Sequence, residues 1–222
     1  MAREYYKAYE DRYQQVHSMD LQWASDVPSP IVQSTMEAFQ VNGTILEIGC
    51  GEGRDAAFLL KQGYDVLATD ISPNAISYCR NKFHKWAERF QVLDCLSQRL
   101  EEKFDFIYAV AVIHMLVEDV HRDGFYAFLR EQLSGQGIAL VCSMGDGEFE
   151  RKSDISNAFD LQERTHQQTG RTVQIASTSC RMVSFDTFRE ELNRNGLIIL
   201  KEGLTAAEPD FNCMMYAVVK RT

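Results

Sequence analysis

Residues 45–55, ILEIGCGEGRD, place an apolar run directly before a glycine-rich turn. A second apolar run, VLAT, follows and ends at the acidic residue Asp70. Glycine lets the backbone come close to a ligand, and an acid at the end of the neighbouring strand can accept hydrogen bonds from both hydroxyls of a ribose. The two segments together predict a site for a ligand that resembles a nucleotide.

The spacing of the glycines and one further acid distinguish between two such ligands. A dinucleotide-binding turn has the pattern G-x-G-x-x-G, but the third glycine is replaced here by Arg54, and the glycines are Gly49, Gly51 and Gly53. Glu47 stands inside the strand, where a carboxylate is unfavourable beside a pyrophosphate and suits a cationic group. The pattern therefore favours S-adenosylmethionine, which has a ribose and an ammonium group, over NAD.

Strands and helices alternate around this turn. Strands are predicted at TILEI, YDVLAT, FQVL, FDFIYAVAV and IALVCS, with helices between them. Such alternation is typical of a parallel sheet with helices on both faces. LIILKEG and NCMMYAVVKR are joined by a loop too short for a crossover helix, so they are predicted to pair antiparallel. The predicted fold is α/β, with a Rossmann-like doubly wound sheet of seven strands that is mostly parallel and has one antiparallel C-terminal strand.

The segments outside this alternation are less regular. Residues 3–17 are predicted to form a helix with Tyr5, Tyr9 and Tyr13 on one face. A helix is also predicted over 154–168, followed by an extra strand at TVQIAS. We therefore expect a single domain. Its predicted parts are a helical lead-in over 1–42, a cofactor-binding core over 43–145, a substrate-side insert over 146–183, and a closing helix with a strand pair over 184–222.

Composition restricts the possible partners. The net charge of −9 argues against a large nucleic-acid interface, which needs a basic face. No apolar run approaches the roughly 20 residues that span a bilayer, and the polar N-terminus has no apolar signal region. The six cysteines are scattered without zinc-binding spacing. We expect a cytoplasmic monomer or homodimer that binds a small molecule, with no metal, nucleic acid or membrane.

The chain resembles the class I S-adenosylmethionine-dependent methyltransferases over residues 44–145. The resemblance rests on LEIGCGEG, on the acids Asp70 and Asp94 after successive strands, and on FDFIYAVAVIHML. Within that family, GEGRDAAFLLKQGYDVLATD and the lead-in DRY…LQWASDVPSP are similar to the small-molecule branch that includes tellurite-resistance and thiopurine methyltransferases. Residues 144–182 do not align with that branch, so the resemblance leaves the methyl acceptor open.

The resemblance implies cofactor contacts along one edge of the sheet. Glu47 is expected to hold the amino group of the cofactor, Asp70 the ribose hydroxyls, and Arg54 the carboxylate. The other implied contacts are the loop residues Gly49, Cys50 and Gly51, the adenine neighbours Ile71, Asp94 and Cys95, and Val110 and Ala111 beside the methyl group. Each has a structural alternative: a tight turn, an acid favoured at a helix N-terminus, or, for Arg54, a salt bridge.

Fewer residues are candidates on the acceptor side. His114 follows the fourth strand and is a candidate general base or substrate contact; the alternative is a satisfied histidine that starts the next helix. Tyr9, Tyr13 and Trp23 are candidates for a lid, with ordinary helix packing as the alternative. Arg181 is a further candidate on the substrate side.

The expected activity is transfer of a methyl group to an oxygen, nitrogen, sulfur or metalloid atom of a small molecule (EC 2.1.1.-), leaving S-adenosylhomocysteine. Such an in-line displacement depends mainly on alignment and exclusion of water. The D/N-P-P-Y/F tetrad of the DNA and glutamine N-methylating branches is replaced by AVIHM, which disfavours those substrates. Two alternatives stay open: an NAD(P)-dependent oxidoreductase, disfavoured by Glu47 and Arg54, and a cofactor-binding module without activity.

Overall fold

The computed structural model describes residues 3–222, so the first two residues of the predicted lead-in lie outside the described part. The helices are α1 Ala8–His17, α2 Pro30–Ala38, α3 Arg54–Lys61, α4 Pro73–Lys82, α5 Asp119–Gln132 and α6 Phe185–Arg194. The strands are β1 Thr44–Ile48, β2 Asp65–Asp70, β3 Phe90–Val92, β4 Phe104–Val110, β5 Leu133–Met144, β6 Arg151–Lys152, β7 Leu161–Thr165, β8 Thr172–Ala176, β9 Arg181–Met182, β10 Leu197–Ala207 and β11 Phe211–Arg221. Short 3-10 turns lie at Tyr5–Lys7, His84–Arg89, Ile113–Met115 and Ile155–Asn157.

One seven-stranded sheet runs through the molecule in the order β10-β11-β5-β4-β1-β2-β3. The five strands from β1 to β5 are parallel, and β11 pairs antiparallel with both β5 and β10. The predicted fold class is therefore confirmed. Strand β1 has β2 on one side and β4 on the other, so the strand order reverses at β1. Open α/β sheets bind ligands in the crevice at such a reversal, here at the carboxyl ends of β1 and β4.

Strand β4 is central because both of its faces are covered. Phe106 and Tyr108 pack into the core on one side of the sheet, and Ile107 and Ala109 pack into the core on the other. All four side chains are fully buried. The sequence of a parallel strand covered on both faces is a continuous apolar run and does not alternate between apolar and polar residues. This is why FDFIYAVAV predicts a central strand.

The helix predicted over 154–168 is wrong. This segment holds only the turn Ile155–Asn157 and strand β7, which pairs antiparallel with β8 from Leu161 opposite Ala176 to Thr165 opposite Thr172. Val173 and Ile175 of β8 are buried against Val16 of α1. Residues 161–165 are therefore a strand because they pair with β8, and β8 packs against a helix more than 150 residues earlier, a contact that the local sequence does not reveal. The extra strand predicted at TVQIAS is confirmed as β8.

A buried ion pair joins α5 and α6 behind the carboxyl end of β4. Arg122 donates from Nε and Nη2 to the two carboxylate oxygens of Glu191 at 2.7 and 2.6 Å, and Tyr126 donates to the same carboxylate at 2.9 Å. The remaining nitrogen of Arg122, Nη1, donates to the carbonyls of Ile113 and Leu116 at 2.8 and 3.2 Å. The pair therefore fixes the turn that follows β4.

Among residues 3–222, no helix combines the length and apolar character that a membrane crossing requires.

We expect Glu191→Gln to lower the free energy of unfolding by about 3 kcal/mol or more, because it leaves the Arg122 guanidinium buried without a counterion. Urea denaturation followed by circular dichroism measures the loss. Asp123→Asn is the matched control, since the pair of Asp123 with Arg194 lies at the surface and is expected to contribute about 1 kcal/mol or less. Equal losses in the two variants would contradict the role given to Glu191.

Candidate functional site

Gly49 and Gly51 of the turn after β1 occupy positions where a side chain would be strained and crowded. Gly49 and Gly51 have φ of 72° and 53°, in the left-handed region that favours glycine. A Cβ at Gly49 would lie 2.4 Å from Cγ2 of Val112, and one at Gly51 would lie 2.6 Å from the hydroxyl of Tyr13. The glycine turn is therefore closely packed between the turn that follows β4 and helix α1.

Asp70 ties this turn to the end of β2. Its Oδ2 accepts a hydrogen bond from the amide of Gly51 at 2.9 Å, and its Oδ1 accepts one from the amide of Ser72 at 2.8 Å. The carboxyl group is buried, and burial raises its pKa to about 6 although both amides oppose the shift. Asp70 thus holds the turn and the start of α4 in one fixed arrangement. Its contact with a ribose stays a prediction.

Glu47 is a buried acid, and one of its carboxylate oxygens accepts no hydrogen bond within the described residues. It lies in β1 and is 4% exposed, and its Oε2 has no hydrogen-bond partner within the described part of the chain. Burial, and after it the charge of Asp55, raise the pKa of Glu47 well above its ordinary range. The Tyr108 hydroxyl, also buried without a partner, is a neighbouring donor that opposes the shift. Glu47 lines the larger cavity, so a ligand there can supply a further donor to its carboxyl group.

Two cavities meet at this edge of the sheet. The larger has a volume of about 400 Å³ and the smaller about 80 Å³. Residues that line both are Tyr9, Tyr13, Gly49 and Met115. The predicted site residues that line the larger cavity are Trp23, Glu47, Gly49, Cys50, Gly51, Arg54, Val110, Ala111 and His114. Those that line the smaller one are Asp70, Ile71, Asp94 and Cys95.

The N-terminal segment and the β7–β8 hairpin together cover the cavities; we call residues 5–24 and 161–176 the roof. Arg12 of α1 donates to the carbonyl of Ala176 at 3.1 Å from Nε and 2.7 Å from Nη2, and to that of Ser177 at 2.8 Å. His166 lies with Nε2 2.6 Å from the carbonyl oxygen of Gln22. These contacts hold the two parts of the roof together.

Glu52, which sequence reasoning did not single out, fastens the roof to the glycine turn. Its Oε1 lies 2.9 Å from Nε2 of His17 and accepts from the amide of Trp23 at 2.8 Å. Its Oε2 accepts from the amide of Ala24 at 2.7 Å. The side chain is 3% exposed. Its partners are about 30 residues away along the chain, so the only signal in the sequence was one more acid inside the turn.

Arg54 lines the larger cavity but is not free. Its Nη1 pairs with Oδ2 of Asp210 at 2.5 Å, and its Nη2 donates to the hydroxyl of Ser29 at 3.2 Å. Ser25 donates to the same Asp210 carboxylate at 2.9 Å. The chain therefore realises the salt-bridge alternative for Arg54, with a partner between β10 and β11 that sequence spacing did not reveal. Its contact with a cofactor carboxylate stays a prediction.

The turn after β4 brings Ala111 and His114 to the larger cavity. Ala111 has a φ of 58°, a left-handed conformation that strains a residue with a Cβ. His114 is 2% exposed, and its Nδ1 has no hydrogen-bond partner in residues 3–222. Burial, and then the charges of Arg122 and Arg12, lower the pKa of His114 to about 4. The imidazole is thus neutral at pH 7, and the alternative of a satisfied histidine is not realised.

Arg181 lies away from both cavities. Its Nη1 donates to the carbonyl of Val117 at 2.8 Å and to Asp119 at 2.6 Å, so the structure gives it no part in the cavity lining. The insert contributes Arg164, Thr165 and Gln167 to the larger cavity instead. Within the described residues, no group of three His, Cys, Asp or Glu side chains is arranged to hold a metal ion.

Comparison with known proteins identifies the core. Residues 45–137 match the model of the family described as "Methyltransferase domain". The malonyl-[acyl-carrier protein] O-methyltransferase of Acetivibrio thermocellus is 31% identical over 96 residues, 38% of this chain and 34% of that protein. The "Probable S-adenosyl-L-methionine-dependent methyltransferase TehB" of Haemophilus influenzae is 30% identical over 76 residues, 32% of this chain and 26% of that protein. The matches thus span about a third or less of these relatives.

Solved structures agree on the fold. The glycopeptide N-methyltransferase MtfA, complexed with sinefungin, superposes with a TM-score of 0.66 at 20% identity, covering 90% of this chain and 88% of that one. The match to TehB bears out the resemblance to S-adenosylmethionine-dependent methyltransferases over the core. Residues 45–137 therefore match a methyltransferase domain, and the chain shares its fold with the solved methyltransferase structure.

Proposed function

We propose that this chain transfers a methyl group from S-adenosylmethionine to a small-molecule acceptor. The observation that carries the proposal is the unpartnered carboxylate oxygen of Glu47, buried beside the left-handed glycine turn where the two cavities meet. A cationic amino group satisfies that oxygen, whereas a pyrophosphate would bring negative charge against a buried acid. The same feature therefore disfavours a dinucleotide-dependent oxidoreductase.

The lining residues fit the two halves of the cofactor. Ile71, Asp94 and Cys95 in the smaller cavity offer the apolar wall and polar edge that an adenine needs, with Asp70 at the ribose. Glu47 and the amides of the glycine turn lie in the larger cavity, on the side of the amino-acid part. When bound, the cofactor supplies an activated methyl group on a positively charged sulfur.

The protein's own contribution is alignment and exclusion of water. The roof covers both cavities with Tyr9 and Tyr13, and the larger cavity of about 400 Å³ is within the range of small-molecule sites. Val110 and Ala111 at the end of β4 border the same space, beside the predicted position of the methyl group. Holding donor and acceptor in line contributes several kcal/mol to such a reaction without a protein nucleophile.

We expect Asp70→Ala to weaken S-adenosylhomocysteine binding by about 1–3 kcal/mol, since it removes charge-assisted hydrogen bonds to the ribose. Isothermal titration calorimetry measures the loss. Because Asp70 also holds the glycine turn, Asp70→Asn serves as a second variant, with circular dichroism as the check on folding. Asp65→Ala, at the exposed start of the same strand, is the control. Unchanged affinity in both Asp70 variants, or binding of NAD in place of S-adenosylhomocysteine, contradicts the proposal.

We expect the affinity for S-adenosylhomocysteine to fall as the pH drops below about 6, because Asp70 has a pKa of about 6 and ribose hydroxyls donate to its ionised form. The fall cannot exceed about tenfold per pH unit for one proton released on binding. Calorimetry between pH 8 and pH 5 tests this. Asp70→Asn should remove the part of the fall that lies near pH 6. Glu47→Gln, which removes the second buried acid with a raised pKa, should lower the affinity and leave that part in place. A profile that is flat in the unmodified protein would refute the assignment of Asp70.

A further inference from the structure

Arg12 is a buried cation without an anionic partner. Its side chain is 6% exposed. Its hydrogen bonds go to the carbonyls of Ala176 and Ser177, and no carboxylate of residues 3–222 forms an ion pair with it. Its guanidinium packs against the rings of Tyr9 and Trp23, 4.9 and 5.0 Å from their centroids. Buried charges are usually paired, so the roof holds an uncompensated positive charge against the larger cavity.

A second cation of the roof lies nearby. Arg164 of β7 lines the same cavity, and its charge acts on Arg12 and contributes to lowering the pKa of that guanidinium, after burial. Arg164 is exposed and has no carboxylate partner in the described part of the chain. Two like charges on one wall of a cavity repel each other and favour an anion between them and the bound methyl donor.

The acids that line the larger cavity do not neutralise these cations. Glu52 is satisfied by residues of the lead-in, Asp55 accepts from the amide and hydroxyl of Ser29 at 2.6 and 2.8 Å, and Asp210 is paired with Arg54. Glu47 faces the amino group of the cofactor in the proposed function. Negative charge thus lies along the glycine turn, and unpaired positive charge lies along the roof.

We propose that the methyl acceptor binds as an anion whose nucleophilic atom is ionised, as in an acidic phenol, enol or thiol, with Arg12 and Arg164 as its counterions. This inference rests on the proposed function and names its substrate class. A lone pair of the ionised atom forms the new bond to the methyl carbon while the carbon–sulfur bond of the donor breaks, with its electron pair left on sulfur. The product is neutral at that atom, so no protein group has to take a proton.

The state of His114 agrees with this class. Its imidazole lines the cavity, and the charges of Arg122 and Arg12 add to burial in lowering its pKa and keeping it neutral. A group held in its neutral form in this way is a poor base at pH 7. It can still donate a hydrogen bond to an anionic acceptor from a ring N–H. A neutral alcohol needs a base to remove its proton during methyl transfer, whereas an ionised acceptor does not.

A spectroscopic titration with 4-nitrophenol tests the inference without turnover. The protein is saturated with S-adenosylhomocysteine, and the absorbance of the phenolate is followed against pH with and without protein. We expect binding to lower the apparent pKa of 4-nitrophenol by about one unit, because nearby positive charges favour its ionised form. Neutral 4-nitroaniline, of similar size, should bind at least about tenfold more weakly. A pKa that is unchanged or raised on binding overturns the inference.

Substitutions of Arg164 locate the effect. Because Arg164 is exposed, Arg164→Gln should fold normally, keep its affinity for S-adenosylhomocysteine, and lose at least half of the pKa shift. Arg164→Lys should restore most of the shift, and Arg171→Gln, in the loop of the same hairpin and outside the cavity lining, should change nothing. With S-adenosylmethionine as donor, 4-nitrophenol should be methylated with a higher kcat/KM than phenol or 4-nitroaniline.

The two proposals fail in different ways. If the protein binds S-adenosylhomocysteine but not 4-nitrophenol, or if Arg164→Gln leaves the shift intact, the anionic acceptor is refuted and the methyl donor is not. If S-adenosylhomocysteine itself does not bind in calorimetry, the proposed function fails first. Preference for 4-nitroaniline over 4-nitrophenol, at equal affinity for S-adenosylhomocysteine, also refutes the anionic class.

Discussion

The buried carboxylate of Asp70, held between the amides of Gly51 and Ser72, is the contact on which the rest of the site depends. Removing a carboxylate from water is unfavourable, and these two hydrogen bonds offset much of that penalty. As a result, the end of β2, the glycine turn and the first residues of α4 are held in fixed positions relative to one another. Tyr13 can then pack within van der Waals range of Gly51, and Glu52 of the same turn can reach the backbone of Trp23 and Ala24. The position of the roof thus follows from the turn that Asp70 fixes.

The acids near this turn differ in their hydrogen-bond partners, and this difference decides which carboxyl group is left to interact with a ligand. Asp70 and Glu52 are satisfied by backbone amides, and Asp55 by Ser29, whereas Glu47 retains an oxygen without a partner. Desolvation, and after it the charge of Asp55, raises the pKa of Glu47 well above its ordinary range, although Tyr108 and Arg54 oppose the shift. A cationic ligand group beside the Glu47 carboxyl would lower the pKa of that group again. In the proposed function, Glu47 therefore favours a cofactor with a cationic group over a dinucleotide.

The sheet was predictable from the sequence because its central strands are largely apolar and the helices lie between successive strands in order. The glycine turn and Asp70 were predictable because the motif is local. The contacts of Glu52 and Asp210 were not, since their partners lie about 30 to 185 residues away along the chain. Strand β8 was predicted, but its partner β7 was wrongly predicted as part of a helix over 154–168. Strand β7 forms by pairing with β8, whose residues Val173 and Ile175 are buried against the distant Val16. Arg181 was a reasonable candidate by position in the chain, but its pairing with Asp119 turns it away from the cavities.

The two buried arginines next to the turn after β4 have opposite roles. Arg122 is neutralised by Glu191, and its third nitrogen holds the carbonyls of Ile113 and Leu116, so its effect on the site is geometric. Arg12 has only carbonyl partners, so its charge extends into the cavity. His114 lies in the field of both and is kept neutral. In the proposed reaction, a site arranged in this way stabilises an anion and offers little help in creating one by proton removal. The acidity of the proposed acceptor then comes from the acceptor itself and from the cations that surround it.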